Sequence, residues 1–120
     1  IAGLELQPMH TPGHTPGSTV FAIASAGGPA QHLISGDVLF NNGIGRTDLV
    51  GGDGVAMAKS LARMMTTYDD GMMVFPGHGE VTTIGDERRR SGYLRMALAE
   101  AFDAKQVESV LAGADAGASR

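Results

Sequence analysis

The sequence contains no cysteine. Without thiols the chain can form no disulfide, no thiolate metal site and no cysteine nucleophile, so any metal must be held by His, Asp or Glu. No apolar run approaches the ~20 residues that span a bilayer, and the first residues lack the charged start and apolar stretch of a signal peptide. We therefore expect a cytoplasmic protein that makes no contact with a membrane.

Charge is also scarce. Charged residues make up 18% of the 120 residues, the net charge is −4, and the only basic run is Arg88 to Arg90. An acidic chain has no positive field to attract phosphate backbones, so we expect no binding of nucleic acid. The arginine run is typical of the solvated face of a helix. Hydrophobic residues make up 42% of the chain, which predicts one globular domain.

The first part of the chain predicts strands. Residues 4–9 alternate between apolar and polar side chains, residues 19–24 are rich in β-branched and aromatic residues, and residues 31–35 predict another short strand. A turn is predicted at 27–29 and a glycine-rich loop at 41–54. These segments predict a β-meander.

The second part predicts helices around one further strand, at residues 72–75. Helical spacing over 54–67 follows Asp53, a good N-cap. Three further patterns predict helices. Thr83 with Asp86 is a capping pair, Leu94, Leu98 and Phe102 form an apolar series, and Asp103 with Gln106 is a second capping pair. We predict an α/β layered domain over residues 1–111 and a flexible Ala/Gly-rich tail over 112–120.

Three predicted turns carry a side chain that can bind metal. His14, Asp37 and His78 each follow a glycine at the end of a predicted strand or in the loop after it. Loops at strand ends commonly display binding groups, and imidazole and carboxylate suit Zn²⁺ or Fe²⁺. Each residue also has an ordinary interpretation, because a histidine after a turn is often a surface or capping residue and an aspartate there often forms an Asx-turn.

Four segments resemble motifs of metallo-β-lactamase-fold hydrolases, especially those similar to glyoxalase II. In chain order they are HTPGHTPGS at 10–18, ISGDVLF at 34–40, GIGRTD at 43–48, and PGHG followed by TTIG and ER between 76 and 88. The resemblance extends over most of residues 4–95, and the segments occur in the order that the family has. The resemblance implies the C-terminal half of an αββα sandwich.

The resemblance also implies roles for the three ligand candidates. It assigns His14 to a first metal and His78 to a second, and makes Asp37 the bridge between them and a catalytic residue. The implied metal is Zn²⁺, or alternatively Fe²⁺ or Mn²⁺. A hydroxide bridging two such cations would be the nucleophile, since coordination lowers the pKa of water.

Four other residues need an interpretation. Arg46 is a candidate contact for a substrate carboxylate, and Asp48 is a candidate support for the loop or for a ligand. The alternative, of equal weight, is that the two residues simply pair with each other. His10 precedes the loop that carries His14, hereafter the ligand loop, and is expected to support it or to be structural. His32 lies inside a predicted strand, matches no motif and is expected to have no special role.

One family motif is absent. The sequence has four histidines, no two of which are separated by a single residue, so the upstream HxHxDH motif is missing. Two protein ligands then remain for each metal, which predicts weak binding, and the inner face of the sheet is expected to be uncovered. The start at Ile1 agrees with a fragment. We therefore expect self-association or pairing with an N-terminal half.

The resemblance favours a metal-dependent hydrolase that acts on a small-molecule thioester such as S-lactoylglutathione. One alternative is an iron-dependent persulfide dioxygenase, a branch that shares the GRTD stretch. Another is a non-catalytic half-domain that works only by assembly, since this chain alone is expected to be inactive. A β-lactamase proper is disfavoured, because the second metal site of those enzymes commonly includes a cysteine.

Overall fold

The computed structural model describes the backbone of residues 3–25 and 28–118, and the side chains of those residues up to 112. Within this part the chain forms seven strands and four helices. In order they are β1 (Leu4–His10), β2 (Thr19–Ser25), β3 (Ala30–Gly36), β4 (Leu39–Phe40), β5 (Gly43–Ile44), α1 (Gly54–Thr67), β6 (Met73–Pro76), β7 (Thr82–Thr83), α2 (Ile84–Arg90), α3 (Gly92–Leu98) and α4 (Ala104–Ala118). No helix in the described ranges is long and apolar enough to cross a membrane.

The main sheet has five strands in the order β1-β2-β3-β6-β7. The first three pair antiparallel, which confirms the predicted meander. Of the turn predicted at 27–29, residue 27 lies outside the described residues, while the Gly28 N–H donates to the Ser25 carbonyl at 2.8 Å. β6 pairs parallel to β3, because α1 provides the crossover that a parallel pair requires.

The prediction of only one strand after the meander was incomplete. β7 pairs antiparallel to β6, and β4 and β5 form a separate hairpin that reaches into the predicted glycine-rich loop. Each of these three strands has two residues, too few to show the period-2 alternation on which strand prediction depends.

Three of the four helices in the described residues, α1, α2 and α4, begin at the caps that the sequence predicts. Asp53 accepts a hydrogen bond from the Ala56 N–H at 3.0 Å, and Thr83 accepts one from the Asp86 N–H at 3.1 Å. Asp103 and Gln106 exchange hydrogen bonds of 2.9 and 2.8 Å before α4.

Two predicted helix ends differ from the structure or go beyond it. The helix predicted through Phe102 ends at Leu98, and the Phe102 side chain packs against the core from the turn that follows. The α4 backbone continues to Ala118, inside the predicted tail, whose last two residues lie outside the described part, so the flexibility of the tail stays a prediction.

The core lies on one face of the main sheet. Every second residue of β2 is buried, as are Leu33 and Val74 on the neighbouring strands. All of these except Ala24 form one cluster with the apolar side of α1 and with side chains of α2, α3 and α4, including Met57, Leu61, Met64, Ile84, Leu94, Leu98 and Val107. The strand alternation therefore faces the helices on this side.

The opposite face of the sheet is apolar and exposed. The strand register places Leu6 opposite Ile23, and Ile34 between Phe21 and Phe75. Leu6 is 52% exposed and Ile34 43% exposed. An antiparallel or mixed sheet normally turns a polar face to water, so this sheet has the open inner face that the resemblance predicts for one half of a sandwich.

Candidate metal centre

His14 lies in the loop between β1 and β2, which α1 holds. The Asp53 N–H donates to the Gly13 carbonyl at 2.7 Å, and the Ser60 hydroxyl donates to the Pro12 carbonyl at 2.8 Å. Gly13 has a φ of +145°, and a Cβ there would lie 2.5 Å from Met57 Cα. Only glycine therefore lets the loop lie this close to the helix and direct the His14 side chain into the site.

The ring of His14 has a defined orientation. Its Nδ1 lies 2.8 Å from the backbone carbonyl oxygen of Arg46. Because a carbonyl can only accept, Nδ1 carries a proton, and in the neutral ring Nε2 therefore keeps its lone pair free. Nε2 faces Asp37, 3.8 Å from its Oδ2. The atom that is able to bind a metal thus points at the carboxylate.

Asp37 lies between the two histidines at the end of β3. Its Oδ1 is 3.1 Å from His78 Nδ1, and its Oδ2 faces His14. The two loops are joined by the Gly77 N–H, which donates to the Gly36 carbonyl at 2.9 Å. The parallel pairing of β3 with β6 brings these loops to the same end of the sheet. The structure thus brings the three candidate ligands together.

His78 is the least confined of the three. Its side chain is 80% exposed, and the ring of Phe40 packs edge-on against it with 6.0 Å between the centroids. The residues His14, Asp37 and His78 open into a shallow pocket of about 330 Å³ that is also lined by Phe40, Ile44, Gly45 and Arg46. A group bound there would have metal-binding atoms on one side and apolar walls on the other.

The donor chemistry fits a metal but the number of donors falls short. Imidazole nitrogen and carboxylate oxygen suit Zn²⁺, Fe²⁺ and Mn²⁺. Each histidine approaches a different oxygen of Asp37, so two ions sharing that carboxylate would each have two protein donors instead of three. Accordingly, no group of three or more His, Asp or Glu side chains among the described residues is arranged tightly enough to hold an ion.

Arg46 and Asp48 form a pair at the rim of the pocket. Arg46 Nε and Nη2 donate to the two carboxylate oxygens of Asp48 at 2.8 and 2.9 Å. The guanidinium lowers the pKa of Asp48 to about 2, mainly through these hydrogen bonds. The Asp48 carboxylate in turn raises the pKa of Arg46. Both side chains are well exposed. In the structure the two residues therefore pair with each other. Contact of Arg46 with a substrate and support of a metal ligand by Asp48 stay predictions.

The other two histidines lie away from the ligand atoms. His10 Nε2 donates to the Pro16 carbonyl at 2.6 Å and so ties the two ends of the ligand loop together, which agrees with a structural role. His32 lies on the open sheet face, 5.7 Å from the ring of Phe75.

Sequence reasoning missed two contacts that orient the histidines. One is the hydrogen bond from His14 to the carbonyl of Arg46, because the sequence indicates a role for the guanidinium of that residue and none for its backbone. The other is the ring of Phe40 against His78. Backbone groups leave no residue-type signal, and the aromatic residue in ISGDVLF was the single available hint.

Comparison with known proteins identifies the family. Residues 1–78 match the family model described as the metallo-beta-lactamase superfamily. The chain belongs to that superfamily, and its α/β architecture is that of part of the metallo-β-lactamase fold.

The chain spans less than half the length of the curated relatives that it matches. An uncharacterized protein of Mycobacterium tuberculosis is 43% identical over 95 residues, which are 78% of this chain and 42% of the relative. Hydroxyacylglutathione hydrolase GloC of Haemophilus influenzae is 37% identical over 94 residues, again 78% of this chain and 42% of the relative. The crystal structure of TTHA1623 in a di-iron-bound form has a TM-score of 0.66 and 38% identity, covering 78% of this chain and 44% of that one.

Proposed function

We propose that this chain supplies His14, Asp37 and His78 to the two-metal centre of a hydrolase that cleaves a small-molecule thioester. The observation that carries the proposal is the position of Asp37, whose two oxygens each face a different histidine. A carboxylate placed in this way is suited to bridge two cations, one beside each imidazole. The relative named hydroxyacylglutathione hydrolase supports the choice of a thioester.

A bound metal pair would supply a hydroxide at neutral pH by lowering the pKa of water. The chain's own groups would do the rest. His14 is held by the Arg46 carbonyl with Nε2 free, and the apolar walls at Phe40 and Ile44 would receive the acyl part of the substrate. Arg46 at the rim would meet a substrate carboxylate after exchanging its present partner Asp48.

The whole protein's reaction needs more ligands than this chain contains. We infer that a further polypeptide segment covers the open sheet face and contributes them, whether it precedes this chain or belongs to another molecule. Without it the chain is a half-domain with weak metal affinity. The donors suit zinc, iron and manganese, and the di-iron-bound form of a similar structure supports iron as one candidate.

The second candidate function is an iron-dependent persulfide dioxygenase. The GRTD stretch at 45–48 favours it, since it resembles that branch as well. The two reactions can be distinguished in one preparation of the complete protein. Thioester hydrolysis consumes S-lactoylglutathione without oxygen, whereas the dioxygenase consumes oxygen only when a persulfide is present.

The metal site is tested by equilibrium dialysis of the 120-residue chain against Zn²⁺, Fe²⁺ and Mn²⁺. We expect weak, saturable binding in the wild type and its loss in His14→Ala, Asp37→Ala and His78→Ala. His32→Ala is the matched control, because its imidazole lies on the open face. A folded wild type that binds none of the three ions, or a His32→Ala variant that loses as much binding as His78→Ala, would show that the proposed site is wrong.

A further inference from the structure

The β4–β5 hairpin contacts or adjoins all three candidate ligands. β4 begins two residues after Asp37. Phe40, on β4, packs against the ring of His78. Arg46 lies two residues after β5, and its carbonyl accepts the hydrogen bond from His14. A displacement of this hairpin would therefore disturb the orientation of both histidines.

The tip of the hairpin is attached to α2 through a buried carboxylate. Asn42, at a φ of +55°, donates its backbone N–H to Glu87 Oε1 at 2.6 Å. The other oxygen, Oε2, accepts from the Thr82 hydroxyl at 2.7 Å. Glu87 itself is completely buried. Its carboxylate thus joins the hairpin tip to β7 as well as to the helix that carries it.

A second link runs beside the first. Arg90 donates to the side-chain oxygen of Asn41 at 3.0 Å and lies 3.5 Å from Glu87 Oε2. The amide nitrogen of Asn41 donates to the Val81 carbonyl at 3.3 Å. Both asparagines of the hairpin tip are therefore held, one through its backbone and one through its side chain.

Burial of a carboxylate opposes folding unless its hydrogen bonds compensate for the lost water. An apolar side chain at Glu87 would fill the same space without that cost, so what the carboxylate adds lies in the bonds that it makes. Those bonds reach the hairpin tip and no candidate ligand directly. Glu87 is therefore placed to act on the site through the hairpin.

We propose that Glu87, assisted by Arg90, is a positioning residue for the metal centre. It fixes the β4–β5 hairpin so that the Arg46 carbonyl selects the Nδ1–H tautomer of His14 and Phe40 confines His78. The use of this device rests on the proposed function, but the device itself is testable in the metal-free chain.

The first test compares two neighbouring arginines of α2. Arg90→Gln removes the link to Asn41, whereas Arg89→Gln removes only ion pairs to Asp70 and Asp86 and serves as the matched control. In the metal-free protein at pH 8, long-range ¹H–¹⁵N spectra of the imidazoles report the His14 tautomer. We expect Arg90→Gln to lower the Nδ1–H population and to weaken Zn²⁺ binding by about two- to tenfold, the equivalent of one hydrogen bond. Arg89→Gln should change neither.

The second test replaces the carboxylate. Glu87→Gln keeps an acceptor for the Asn42 N–H, so the tautomer and the Zn²⁺ affinity should stay close to wild type. Glu87→Ala removes it and should mix the His14 tautomers and weaken Zn²⁺ binding roughly 10- to 100-fold, as expected for a partner that orients a ligand. The recovery in Glu87→Gln distinguishes positioning from mere filling of space.

Each outcome decides the proposal. A folded Glu87→Ala variant with an unchanged His14 tautomer and unchanged Zn²⁺ affinity would overturn it. If Glu87→Ala does not fold, equal effects of Arg90→Gln and Arg89→Gln would overturn it instead. If the wild type binds none of Zn²⁺, Fe²⁺ and Mn²⁺, the proposed function fails, and the tautomer comparison still decides whether Glu87 positions His14.

Discussion

Replacement of Gly45 by alanine should disturb the candidate metal centre more than the addition of a methyl group at any other glycine. Gly45 follows the β4–β5 hairpin, and a Cβ there would lie 1.8 Å from the Asp37 carbonyl oxygen and 3.3 Å from His14 Cβ. Real Cβ atoms essentially never come closer than 3.0 Å to such an atom, so the two backbone segments must separate by at least about 1.2 Å. That displacement is large compared with the tolerance of a metal ligand.

The expected cost has two parts. Separation of the segments breaks the hydrogen bond of 3.0 Å from the Gly45 N–H to the Val38 carbonyl, at about 0.5–1.5 kcal/mol. Overpacking of the backbone contact adds about 1–3 kcal/mol. The free energy of unfolding should therefore fall by about 1.5–4.5 kcal/mol. Zn²⁺ binding should weaken by roughly 10- to 100-fold because Asp37 and His14 both move.

Urea unfolding followed by circular dichroism at 222 nm measures the first quantity, and equilibrium dialysis measures the second. The control is Gly43→Ala in the same hairpin, where the nearest atom to the new Cβ is Phe40 Cβ at an ordinary 3.8 Å. That variant should change stability by less than about 1 kcal/mol. Equal midpoints and equal Zn²⁺ affinities for the two variants would refute the reasoning.

Two further predictions concern the ligand loop and the arginine pair. Gly13→Ala should lower the free energy of unfolding by about 2–4 kcal/mol, because it combines a φ of +145° with a 2.5 Å contact to α1; Gly17→Ala in the same loop meets no atom within 4 Å and should be nearly neutral in urea unfolding. The Asp48 carboxyl should titrate near pH 2 by ¹³C NMR, and Arg46→Gln should move it up toward 3.8. Since its folded pKa is depressed, the pair's contribution to stability is present above pH 3.8 and is lost as the pH falls through 2; an unshifted Asp48 in Arg46→Gln would contradict this cause.

The elements of the fold that could be predicted from the sequence are those determined by contacts between residues close together in the chain. Asp53 as an N-cap and the Asp103–Gln106 pair each determine a helix start through contacts within three residues, so the residue types were sufficient. The strands of the meander are long enough for their alternation to be read. The β4–β5 hairpin and β7 could not be predicted, because two-residue strands depend on partners such as Glu87, which is 45 residues from Asn42.

The candidate site was predictable for a different reason. Residue spacing alone left His14, Asp37 and His78 with ordinary interpretations, and the family resemblance brought them together. The structure places the three side chains around one carboxylate, while their roles toward a metal stay predictions. No sequence pattern predicted the hydrogen bond from His14 to the backbone carbonyl of Arg46, because a carbonyl accepts a hydrogen bond whatever side chain its residue carries.

The open sheet face also affects how the stability of this chain varies with temperature. Side chains such as Leu6, Ile34 and Phe75 are already in contact with water in the folded chain. The part of their surface that is hydrated before unfolding drops out of the heat capacity change, which is set by newly exposed apolar area. For 120 residues the stability curve should therefore be unusually flat, and the urea m-value low. A segment that covered this face would make the stability curve more strongly curved, because unfolding would then newly expose this apolar surface as well.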